Sequence, residues 1–224
     1  MSKKVISFSL WGNNPKYTIG AIKNANLALD VYKDWICRFH VGQDVSLDIV
    51  DELKKMKNTE VIIKDGACDW TGMFWRFEDA ADPDVSVMLS RDTDSRLTIR
   101  EKAAVDEWLQ SDKNFHIMRD HSGHCTPIMG GMWGVKYPKL KNINDMITSY
   151  IKGNFWQVDQ RFLAKVIYPL VSNDSFVHDE YHKFNKHAKP FPLPRLPGTV
   201  EGLPEQPLDY VGKALNADDS LCWG

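Results

Sequence analysis

The sequence predicts an α/β fold: a single domain with a mainly parallel sheet flanked by helices. Three observations carry this. Short apolar runs alternate with helical stripes through the first ninety residues. Strand and helix alternate with short connections, which implies a mainly parallel sheet covered on both faces. A length of 224 residues suits one domain or one domain with an appendage.

Val5 to Leu10 reads as a buried first strand, closed by the turn signal Gly12-Asn13-Asn14-Pro15. Ile22, Ala25, Leu29 and Tyr32 then recur at three- and four-residue spacing, a helical stripe over 17–32. Ile36 to Val41 is a second strand, Ile49, Val50, Leu53 and Met56 mark a second helix, and Val61 to Ile63 is a third strand. A short helix is expected over 72–81 and a fourth strand over 85–89. Thr98 and Glu101 form a capping-box pattern that opens a helix running to Gln110, with Val105, Trp108 and Leu109 on its apolar face. Phe115 to Met118 reads as another strand, 128–135 as glycine-interrupted strand or loop, and 144–152 and 158–168 as helices. Six of the eleven prolines fall between Pro190 and Pro207, so residues 1–189 are expected to form the domain and 190–224 an extended arm.

Composition excludes several classes. With 28 Lys+Arg against 30 Asp+Glu, the chain lacks the basic excess that phosphate backbones select, which argues against a nucleic-acid binder. No apolar run approaches the roughly 20 residues of a membrane span, and the first ten residues are too polar for a signal peptide. Cys37, Cys68, Cys125 and Cys222 are widely separated, which fits reduced thiols and a cytoplasmic location. Eight Trp in 224 residues is more than double the roughly one per eighty of an average chain, and sugar-binding faces use Trp.

The most informative segment is Val85-Ser86-Val87-Met88-Leu89-Ser90-Arg91-Asp92-Thr93-Asp94-Ser95-Arg96. A strand runs directly into Asp-Thr-Asp, placing both acids at its carboxyl end, where open α/β sheets bind ligands. Residues two apart in an extended chain point the same way, so Asp92 and Asp94 can converge on one cation. Their oxygens suit Mg²⁺ or Mn²⁺, which in turn holds a diphosphate. Arg91 and Arg96 can balance the charge or clamp phosphate. An isolated acid pair in a loop also arises by chance or as a helix cap, so its position after a buried strand is what gives it weight.

A strand ending in D-x-D some 85 to 90 residues into an α/β chain resembles the GT-A-fold glycosyltransferases, and the wider run through Arg100-Glu101 and Met118-Arg119-Asp120-His121 resembles small microbial and viral members. The likeness covers about residues 3 to 190 and implies a GT-A-like, Rossmann-like fold. It also implies transfer of a sugar from a nucleoside-diphosphate sugar, most simply a UDP-sugar, to an unknown glycan, protein or lipid-linked acceptor. The resemblance makes Asp92 and Asp94 the metal ligands, with a late histidine as third ligand: His178, or alternatively His182. It makes Asp159, in Val158-Asp159-Gln160, the catalytic acid at a helix start, either as base in an inverting enzyme or as a donor contact in a retaining one. The glycine loop around Gly130, Gly131 and Gly134 would meet the donor sugar, with Trp133 stacking on its ring. Ser9, Leu10, Gly12 and Asp65 would cradle the nucleoside, and Arg76 or Arg91 the diphosphate.

Other readings are weaker. His116, His121, His124 and Cys125 lack a second cysteine pair for structural zinc. Asp120 is a second choice of base. A haloacid-dehalogenase-like phosphatase also uses D-x-D after a strand, but on its first strand. A non-catalytic nucleotide-sugar-binding protein on the same scaffold is the remaining alternative.

Overall fold

The computed structural model describes residues 2–150, 153–200 and 203–222. Strands β1 (Lys3–Leu10), β2 (Ile36–Gly42), β3 (Thr59–Lys64), β4 (Val85–Ser90), β5 (Phe115–Arg119), β6 (Trp133–Lys136) and β7 (Ser175–Asp179) form one seven-stranded sheet in the order β3-β2-β1-β4-β6-β5-β7. The first four are parallel, β5 and β7 are parallel to each other, and β6 runs antiparallel between β4 and β5. The mainly parallel α/β sheet is therefore present, and each of the four early strands lies where its apolar run predicts.

Helix α1 (Pro15–Val31) follows β1, with Pro15 in its first turn and the Asn14 side chain accepting from the Lys16 N–H. Helix α2 (Leu47–Lys55) follows β2. The expected helix before β4 is a 3₁₀ helix, Trp70–Ala81, capped by Asp69. Helix α3 (Ile99–Gln110) starts as the capping pattern predicts, Thr98 accepting from the Glu101 N–H at 3.1 Å. The Glu101 carboxylate does not complete the reciprocal cap: it is buried against Arg91 at 2.7 Å and Tyr32 at 2.7 Å. Helix α4 spans Ile143–Tyr150; the last two residues of the expected 144–152 helix lie outside the described residues. Helices α5 (Val158–Phe162) and α6 (Tyr168–Val171) are joined by a π-helical turn at Leu163–Ile167.

Apolar side chains fill both faces of the sheet. Ile6, Phe8 and Leu10 of β1 pack with α1, α2 and Trp108 of α3, whereas Val5, Val85 and Met88 pack with the 3₁₀ helix, α4 and α5. Each such fully buried side chain stabilises the fold by ~1.5–3 kcal/mol.

The proline-rich stretch is extended, with a short hairpin of β8 (Thr199–Val200) and β9 (Leu203–Pro207), but it is fastened to the domain. Phe191, Val211 and Leu215 are buried. Arg195 and the Val211 N–H both reach Asp120, and the Leu215 N–H donates to the Asp94 carbonyl at 2.8 Å. Among the described residues, no helix is long and apolar enough to cross a membrane.

Candidate functional site

A cavity of about 380 Å³ opens at the carboxyl ends of β1 and β4, within the ~300–1,000 Å³ typical of ligand sites. Ser9, Leu10, Arg76, Asp92, Asp94, Gly131 and Asp159 all line it, so seven of the sequence-predicted residues are brought together.

The acid loop is held by α1. Gly20 lies so close to the Thr93 carbonyl that a β-carbon would overlap it, and buried Asn24 donates to Thr93 O at 3.2 Å and Ser95 O at 2.8 Å while accepting from the Leu97 N–H at 3.0 Å. Lys16, in the first turn of α1, pairs with Asp94 at 2.9 Å. Burial, then the neighbouring Asp92 charge, push the Asp94 carboxyl above the usual range against the pull of Lys16. Gly131 leaves the space that Asp92 Oδ2 occupies, since a β-carbon there would overlap it. Ser90 fastens the glycine loop by donating to Gly130 O at 2.6 Å.

Arg76 sits at the centre. Ser9 Oγ accepts from its backbone N–H at 3.0 Å, and its guanidinium bridges Asp92 and Asp159, the latter at 2.8 Å. Burial opposes its charge, but the two acids hold it protonated beyond its ordinary range. Asp159, at the start of α5, is itself 1% exposed, and burial raises its carboxyl against the attraction of Arg76. Its Oδ2 takes the Arg76 bond, while Oδ1 is buried with no partner. A buried carboxylate oxygen without a partner is a rare exception among buried polar groups, of the kind found at functional sites.

The acid pair fits a hard divalent cation. Two carboxylates share one loop in a cavity, the Asp92 charge raising the cost of ionising Asp94, and Mg²⁺-type ions commonly take one or two carboxylates plus substrate phosphates. No third His, Cys, Asp or Glu joins them among the described residues.

Five expected residues are placed elsewhere. His178 lies on β7, its ring between His116 at 2.9 Å and Glu107 of α3 at 3.0 Å, so both nitrogens are engaged on the α3 flank of the sheet and away from the acid pair. The alternative, His182, is bonded to Ser122 O at 2.7 Å. Trp133 is fully buried with its ring against Phe77, so it presents no face to a sugar. Arg91 points away from Asp92 into the core, to Glu101 and the Trp133 carbonyl. Gly12, with φ at 71°, is a turn glycine, and Asp65 is paired with Gln43 at 2.6 Å; neither lines the cavity. Asp120, the second candidate base, is fully buried and saturated by Arg100, Arg195 and the Val211 N–H, which makes it an anchor for the arm.

The cavity also contains residues without a sequence signal. Trp11, Tyr17, Trp70 and Trp156 form an aromatic rim, and Gly212 and Ala214 of the arm close one side. His124 is fixed as the Nε2–H tautomer because its Nδ1 accepts the Asp120 N–H at 3.0 Å, and burial lowers its pKa to about 4. Gln157, between Trp156 and Asp159, has φ at 64°, a left-handed conformation costing about 1–3 kcal/mol for a non-glycine residue.

No family model matches the sequence, and no curated protein does. Its fold is shared by solved structures, two glycosyltransferases among them. A glycosyltransferase involved in glycosylation of the major capsid of PBCV-1 is similar over 79% of this chain and 82% of its own, with 17% identity and a TM-score of 0.50. The galactosyltransferase LgtC, solved with donor and acceptor sugar analogs, is similar over 78% of this chain and 73% of its own, with 13% identity and a TM-score of 0.50. The chain thus has a GT-A-like fold.

Proposed function

We propose that this protein is a metal-dependent glycosyltransferase that transfers a sugar from a nucleoside-diphosphate sugar, with a UDP-sugar as donor. The observation that carries the reading is one cavity in which Asp92 and Asp94, at the carboxyl end of β4, face Asp159 across Arg76. The two similar structures support it at the level of fold.

Asp92 and Asp94 would hold Mn²⁺ or Mg²⁺, whose role as Lewis acid is to neutralise charge on the departing diphosphate. Arg76 adds a fixed positive charge beside the pair, and Lys16 a second. The amino end of α1 faces the same loop and favours anions there. Asp159 Oδ1 accepts a hydrogen bond from a hydroxyl. If that hydroxyl is the acceptor's, Asp159 is the general base of an inverting reaction, and its raised carboxyl suits it to hold the proton. If it is the donor sugar's, Asp159 orients a retaining one. The four cysteines are unpaired, consistent with a reducing cytoplasm.

The test is a panel of UDP- and GDP-sugars incubated with the protein and Mn²⁺. Slow release of UDP from one donor supports the reading and names the sugar. The anomeric configuration of the freed sugar, read by NMR, then assigns the role of Asp159. Nucleotide binding without any release or transfer favours a non-catalytic binding protein.

A further inference from the structure

We propose that Trp156 is the platform for a sugar ring of the acceptor, making the acceptor a carbohydrate; this rests on the transferase reading above. Trp156 is 65% exposed although it lines the cavity, and Trp70, on the same rim, is 41% exposed. Indoles left in water at a cavity mouth mark a surface built for contact. The chain segments that carry them are tied together. The Trp70 backbone N–H donates to Asn154 Oδ1 at 3.1 Å, and Asn154 Nδ2 donates to Asp69 at 2.8 Å, clipping together the two segments that carry the indoles. Trp70 is braced edge-on against Trp11 at 6.5 Å, and the left-handed Gln157 turns the chain between Trp156 and Asp159.

The chemistry of this wall is that of a pyranose. A sugar ring has one apolar C–H face, which stacks on an indole, and a rim of hydroxyls, which need acceptors and donors. Gln157, Asp159 and Gln160 line the same cavity as Trp156 and supply polar groups to it. A lipid would need a continuous apolar groove, which these polar neighbours interrupt. The donor's nucleotide belongs to the ends of β1 and β4, next to Ser9 and the acid loop. Trp156 comes from the α5 side and is open to solvent, where the second substrate enters.

The experiment uses the full chain with Trp156→Ala and Trp156→Phe. Calorimetry measures UDP with Mn²⁺, hydrolysis measures KM for the donor, and an array of neutral oligosaccharides is probed with UDP and Mn²⁺ present. The expected result is a wild type that retains particular oligosaccharides, a Trp156→Ala variant that loses them about tenfold or more, and recovery in Trp156→Phe. UDP affinity and donor KM stay unchanged. Weaker UDP binding in Trp156→Ala would make the indole a base platform, and a raised donor KM alone would assign it to the donor sugar; either overturns the proposal. UDP binding by the wild type with no oligosaccharide retained also overturns it. No UDP binding at all would instead remove the transferase reading itself.

Discussion

Arg76 and Asp159 form a buried ion pair at 2.8 Å in which only one carboxylate oxygen is used. The pair fixes Asp159 while leaving Oδ1 free, and the same guanidinium reaches Asp92. One arginine therefore couples the acid loop after β4 to the start of α5, and the two halves of the site are set by a single side chain.

Removing one partner of a buried pair leaves an uncompensated charge, at a cost of about 3–5 kcal/mol. Arg76→Met should lower stability by about that amount in urea unfolding, and Arg76→Met with Asp159→Leu should recover part of the loss. A double variant no more stable than Arg76→Met alone would show that the pair is not what holds these elements.

Asp94→Asn should abolish Mn²⁺-dependent UDP binding while keeping the fold. The substitution removes one of two crowded acids whose charges already disfavour each other. His178→Asn, by contrast, should leave Mn²⁺ dependence unchanged, because its ring is engaged by His116 and Glu107. Calorimetric titration of both variants checks the contrast, and loss of metal-dependent binding in His178→Asn would restore it as a ligand.

Three buried histidines set the acid limit of stability. Burial lowers His124 to about 4, and His116 and His178 also fall below 6.5. Between these values the unfolded chain binds more protons than the native one, so stability is full above about pH 6.5 and is lost as pH falls towards 4. Carboxylates such as Asp79 and Asp179, held below their usual range, lose their contribution only at lower pH still. Thermal midpoints from pH 7.5 to 4.5 should decline from near 6.5; a flat profile down to pH 5 would contradict these assignments.

The sheet was legible because short apolar-rich runs, from Val5–Leu10 through Val85–Leu89, alternate with helical stripes, although Ser7, Ser9, Arg38 and His40 interrupt them and are buried too. Asp92 and Asp94 were legible from their position directly after an apolar-rich strand, at the carboxyl edge of the sheet. The strand ends at Ser90, and Thr93 and Asp94 lie in a turn, so packing against α1 and not strand alternation orients them. Arg91, one residue past the strand, turns instead into the core towards Glu101, which the motif does not show. Trp133 and His178 were misplaced because a motif says nothing of which strand face a side chain occupies, and both lie in rows already filled by the core. Lys16, Asn24 and Trp156 carry no pattern at all. They reach the site through the packing of α1 on the acid loop and through the left-handed turn at Gln157. The attachment of the 190–224 stretch carries no local signal, because it depends on Asp120, whose partners lie 75 and 91 residues away.

The central claim is that the acid pair binds a nucleoside diphosphate through a divalent cation. Titration of UDP into the full chain by calorimetry, with and without Mn²⁺, tests it most directly. The account predicts binding only when Mn²⁺ is present. Equal binding without the metal, or no binding under either condition, would contradict it.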